Sequence, residues 1–213
     1  MNNATKATVS TFGAIMAVAG IEHGIGEILQ GNVAPGGIMF PSWPDSAFFR
    51  IVGGEPAMSI ISNLLVTGIL AIFFSVIYLV CVILFVQRKN GGLILILLSI
   101  AMLLAGGGIF PPVLGLVIGG LGTRINAPLT WWRAHLSDGP RHLLGKVWPL
   151  SFAACLIAWL MLFPGINIIG YFFGVNNPSL TVIIIFLAFG FLVLTFFTGF
   201  AHDSIQQEPG KTL

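Results

Sequence analysis

Apolar residues run in long unbroken stretches along this chain, and polar residues are confined to short segments between them. Five apolar runs stand out, over residues 7–30, 56–86, 93–122, 147–174 and 180–202. Each reaches the roughly 20 residues that an α-helix needs to cross the hydrocarbon core of a bilayer. The expected fold is all-α: a polytopic integral membrane protein of about five transmembrane helices, forming one domain over residues 1–213. Lys6 followed by an apolar run ending near Ala17-Val18-Ala19 also resembles a signal peptide, and it is read here as a retained first helix.

The segments between the runs carry the turn chemistry. Residues 31–55 are rich in Gly, Pro and aromatics, which predicts an interfacial cap or a partly re-entrant loop. Glu55-Pro56 reads as the opening of the second helix, in which Ser62 and Asn63 are the strongly polar pair. The third run is broken by Gly106-Gly107-Gly108 and Pro111-Pro112, which predicts a kinked and tilted helix. Residues 124–146 form a second long loop, expected to hold a short interfacial helix whose Arg133, Arg141 and Lys146 meet anionic lipid headgroups. Pro164-Gly165 predicts a bend in the fourth span. Strict alternation of five spans places both long loops on one side of the membrane.

Composition sharpens the class. The chain is 56% hydrophobic and 8% charged, with a mean hydropathy of +0.99. A soluble domain has about a quarter of its residues charged, so this chain could not cover a soluble surface. A net charge of +2 is too small to argue for nucleic acid. Cys81 and Cys155 lie inside apolar runs and read as packing residues. The expected location is the plasma (inner) membrane, with lipids as neighbours and a homo-oligomer or a larger membrane complex as the possible assembly. The long-loop side, with Arg50, Arg124, Arg133, Arg141, Lys146 and Lys211, is favoured as cytoplasmic, although Arg88-Lys89 in the opposite hairpin argues the other way.

Candidate chemistry gathers at the end of the first run, in Gly20-Ile21-Glu22-His23-Gly24-Ile25-Gly26-Glu27. On a helix His23, Glu27 and Gln30 share one face, with Glu22 about a quarter-turn away. Gly13, Ala17, Gly20 and Gly24 form a neighbouring stripe that lets another helix come close. Alternation of the spans would bring His202 and Asp203 to the same side as this cluster, with Glu55, Arg50 and Arg124 nearby. Asn63 is a further supporting polar group.

A His/carboxylate set of this kind suits Zn, Fe or Mn, or the handling of a proton. Paired His23 and His202 would suit a haem, which ranks below a metal ion. The plain alternative is that Glu22, His23 and Glu27 merely reach the interface, and that His202-Asp203 is an ordinary helix end. No P-loop, CxxC pair, GxSxG or aspartate-rich motif is present, so nucleotide, thiol and diphosphate chemistry lack support. The leading reading is a cation-binding membrane protein, with transport of that cation as one use of the site. An accessory subunit of a larger complex and a membrane-embedded enzyme acting on a lipid-soluble substrate are the alternatives.

Overall fold

Helices dominate the computed structural model, which describes residues 1–175 and 177–207. Among the described residues four helices are long and apolar enough to cross a membrane, and the protein is an all-α membrane protein. In chain order the elements are α1 (Asn3–Gln30), β1 (Met39–Pro41), β2 (Pro56–Met58), α2 (Leu64–Val80), α3 (Gly91–Leu104), α4 (Phe110–Gly122), α5 (Thr130–His135), α6 (Asp138–Leu160), α7 (Ile166–Phe173) and α8 (Pro178–Gln206). A π-helical turn, Cys81–Phe85, extends α2, and another, Met161–Gly165, joins α6 to α7.

The small-residue stripe of α1 faces α2. A Cβ on Gly24 would lie 2.7 Å from the Gly68 carbonyl oxygen, so the two backbones touch directly at this crossing. Around it Phe12, Met16, Tyr78, Leu95, Met102, Leu114, Ile118 and Trp159 form the fully buried core. Helix α8 is tied to α6 by Thr195 Oγ1 donating to the Ser151 carbonyl at 2.9 Å and by a Ser151–Thr198 hydroxyl pair at 2.7 Å.

The third apolar run is where sequence and structure part. It is not one kinked helix but an antiparallel hairpin of α3 and α4. Gly106 and Gly108 have φ of +94° and +84°, values that reverse the chain cheaply only for glycine. Pro111 and Pro112 then occupy the first turn of α4, where a missing N–H leaves nothing unsatisfied. The two helices are about 21 and 20 Å long, short of a hydrocarbon core of about 30 Å. The hairpin therefore enters and leaves by the same end of the bundle.

That reversal changes the direction of everything after it. Helix α8 runs antiparallel to α1, and its Asp203 receives the Ala4 and Thr5 backbone N–H groups at 2.9 Å and the Thr5 hydroxyl at 2.7 Å. The two long loops consequently lie at opposite ends rather than on one side. The loop between α1 and α2 caps one end. The α4–α6 connection closes the other, where Asn2 donates to the carbonyls of Arg124 and Ile125. Lys6, Arg88, Lys89, Arg124, Arg133, Arg141 and Lys146 all gather at this second, basic end, and Arg50 alone sits in the cap. Lys211 lies outside the described residues.

Two element boundaries also move. Glu55-Pro56 does not open α2: Pro56 starts β2, which pairs antiparallel with β1, and α2 begins at Leu64. Asn63 is its cap, its side-chain oxygen accepting from Val66 N at 3.1 Å, rather than a polar group within a span. At the basic end α6 starts at Asp138, so Arg141 and Lys146 belong to its first turns.

Candidate functional site

The site is built where the C-terminal third of α1 meets the cap and the tip of the hairpin. Its centre is His23, 1% exposed. The imidazole Nδ1 lies 2.9 Å from the Ala19 carbonyl and 3.1 Å from Glu22 Oε2, and Nε2 lies 3.3 Å from Glu55 Oε2. One ligand atom from each of Glu22, His23 and Glu55 lies within 4.8 Å of the others, close enough to hold a metal ion.

Glu55 reaches His23 because of its backbone. Gly53, Gly54 and Glu55 have φ of +70°, +77° and +58°, three successive left-handed residues ahead of β2. For a non-glycine residue this region costs about 1–2 kcal/mol, and it is found where surrounding structure imposes it. The turn throws the Glu55 carboxylate inward, where Asn167 Nδ2 of α7 donates to its Oε1 at 3.4 Å. Burial pushes the Glu55 carboxyl up to about 7, with Glu22 adding to the rise and His23 opposing it.

The hairpin tip completes the enclosure. A Cβ on Gly108 would lie 2.6 Å from His23 Nε2, and one on Gly106 would lie 2.4 Å from Glu27 Oε2. These glycines were legible in the sequence as a break; their work is to bring bare backbone against the polar side chains. Ser59 in the cap pairs with Ala105, and Ile60 N donates to the Leu104 carbonyl at 3.1 Å, which pins the tip under the cap.

Glu27 lies one turn beyond His23, fully buried but outside the Glu22–His23–Glu55 group. The Ser42 hydroxyl donates to its Oε1 at 3.4 Å, and the Thr67 hydroxyl of α2 also interacts with this carboxylate. Gln30 donates to the Ser42 carbonyl at 2.8 Å.

The remaining sequence-predicted residues lie elsewhere. His202 and Asp203 are at the basic end, and Asp203 caps α1 from a neighbouring helix. His202 Nδ1 sits 3.2 Å from the Gly145 carbonyl. With His23 about 28 Å up the helix from Ala4, the His23–His202 haem pair has no geometry to form. Arg124 is also at the basic end, and exposed. Arg50 belongs to the cap, and among the described residues no ion pair joins it to the trio. Of the three residues assigned to headgroups, Lys146 is exposed and Arg133 half-buried. Arg141 is buried instead, its Nη2 donating to Asp138 Oδ1 at 2.6 Å. Asn167 escaped the sequence reading; its signal was a lone amide within an apolar run.

Comparison with known proteins returns no match to a family model, to a curated protein or to a solved structure. The functional reading therefore rests on the geometry of Glu22, His23 and Glu55.

Proposed function

We propose that this membrane protein binds a divalent transition-metal cation of the zinc, iron or manganese type at Glu22, His23 and Glu55. The observation that carries the reading is that one ligand atom from each of three metal-ligating side chains lies within 4.8 Å of the others, with His23 and Glu55 almost fully buried. Ligands held 2.0–2.2 Å from such an ion sit about 3–4 Å apart, and the His23 Nε2–Glu55 Oε2 separation of 3.3 Å falls in that range. The Ala19 carbonyl next to Nδ1 supports the tautomer with a proton on Nδ1. A metal-bound histidine commonly donates its second N–H to such a partner. Nε2 then offers its lone pair toward Glu55, and without a metal a proton must sit between the two atoms. Binding exchanges that proton for the ion.

The distribution of charge supports an orientation. Among the described residues, seven Lys and Arg at one end against one at the other is the asymmetry of a cytoplasmic basic end. The metal site and its cap then face the non-cytoplasmic side, and the ion comes from outside the cell or organelle. Metal uptake or metal-assisted chemistry at that face fits better than a purely structural subunit role, which has no use for a buried imidazole held between the buried Glu55 and the half-buried Glu22.

Elemental analysis of gently purified protein tests the reading, with His23→Ala and Glu55→Gln prepared alongside. The expected result is stoichiometric metal in the wild type and its loss from both variants. A wild-type protein that neither retains a metal nor binds zinc, iron(II) or manganese(II) on titration overturns it.

A further inference from the structure

A cavity of about 490 Å³ lies between α1 and the bend joining α6 to α7. Its walls are Ala14, Ile15, Val18, Leu160, Phe163 and the paired rings of Phe48 and Phe49. Its rim residues Val18 and Leu160 are 58% and 47% exposed on the lateral surface of the bundle, so the cavity opens toward lipid rather than along the bundle axis. The opening exists because the helix breaks at Phe163, whose φ and ψ of −136° and 110° are not helical, ahead of Pro164.

The polar end is small and of one kind. Glu22, Glu55 and Asn167 close the cavity. Asn167 is 1% exposed and spends its amide N–H on Glu55, leaving Oδ1 without a partner; Glu22 Oε1 is also buried and unpartnered. A buried acceptor without a donor costs about 1–3 kcal/mol, so both oxygens call for a hydrogen-bond donor. The lining holds carboxylates and no Lys or Arg among the described residues, which disfavours phosphate and carboxylate headgroups. His23 already lies between the two carboxylates, so a neutral donor satisfies the remaining oxygens without adding another charge to a buried site. The volume and the ratio of apolar wall to polar end are those of a small-molecule site.

We propose that this cavity binds a membrane-soluble amphiphile with a hydroxyl head group, which enters from the bilayer and donates to Asn167 Oδ1 and Glu22 Oε1. Its apolar tail lies along α1 against Phe48, Phe49 and Phe163. The inference goes beyond the metal reading, because Asn167 and the apolar walls are not metal ligands. When a metal is present, the hydroxyl is delivered beside it.

The test is photolabelling in lipid nanodiscs with a diazirine-bearing hexadecanol, beside the matched fatty acid and the matched alkylamine, on both metal-stripped and zinc-loaded protein. The alcohol is expected to label peptides spanning residues 14–22 and 160–167 saturably, about tenfold more than the acid and more than the amine. Asn167→Leu should remove most of that preference, and Ala14→Trp should block labelling by filling the cavity. Circular dichroism and size-exclusion profiles confirm that each variant folds, and should Ala14→Trp misfold, Asn167→Leu decides alone. Equal labelling by all three probes, stronger labelling by the amine, labelling that does not saturate, or an alcohol preference unmoved by Asn167→Leu overturns the proposal. Saturable alcohol labelling of a protein that binds no metal would sink the metal reading and leave this one standing.

Discussion

Gly108→Ala is the substitution whose effect can be worked furthest from the geometry. The residue's φ of +84° disfavours any side chain, at about 1–2 kcal/mol. The added Cβ would also lie 2.6 Å from His23 Nε2, inside van der Waals contact, and overpacking of this kind costs about 1–3 kcal/mol more. Gly174→Ala isolates the first term, because its φ is +67° and nothing lies within 4 Å of the added carbon. Gly108→Ala should therefore be the less stable of the two by about 1–3 kcal/mol in denaturant unfolding of the detergent-solubilised proteins. A metal ion on Nε2 would occupy the same space as the new methyl group. Zinc affinity, measured by calorimetry, should fall by tenfold or more, about 1.4 kcal/mol, in Gly108→Ala and stay at the wild-type value in Gly174→Ala. Equal stability of the two variants would refute the close approach of the hairpin tip. Wild-type zinc affinity in Gly108→Ala would refute the use of Nε2 as a ligand.

Glu55→Gln should abolish tight zinc binding, whereas Glu27→Gln, one helical turn outside the trio, should retain it, and the same titration distinguishes them. Asp203→Ala leaves two backbone N–H groups and the Thr5 hydroxyl of α1 without their acceptor. It should cost about 2–4 kcal/mol in unfolding experiments yet leave zinc affinity intact, since it acts at the far end of the helix. With Cys81 and Cys155 replaced by Ala, Asp45→Cys should react in intact cells with a membrane-impermeant maleimide and Lys89→Cys should react only after lysis. The opposite pattern would reverse the orientation.

Much of this was legible in the chain, and the failures share one cause. The apolar runs announced membrane helices, and the spacing of His23, Glu27 and the glycine stripe announced a helix turned inward. A 30-residue apolar run with glycines and prolines near its middle reads equally as one tilted span or as two short helices, because hydropathy is the same for both. The choice of a single span misassigned the direction of every later helix, and so put His202, Asp203 and Arg124 beside His23. Glu55 was placed at a helix start because Glu-Pro is favourable there. Its strained backbone and the Ser42 N–H donated to its carbonyl come from tertiary contacts that local pattern does not encode. Asn167 needed no tertiary knowledge, only the rule that an isolated amide within an apolar run requires a partner.

The α3–α4 hairpin also bears on biogenesis. Neither arm is long enough to insert as a separate crossing, so the pair must enter the membrane as a preformed helical hairpin. It can settle only against α1 and α2, whose faces supply its packing partners. His23 and Glu27 lack the bare backbone of Gly106 and Gly108 until that docking occurs, so the step that seats the hairpin is also the one that closes this side of the polar cluster. Any ion destined for the site has its widest access during synthesis, before the hairpin has docked.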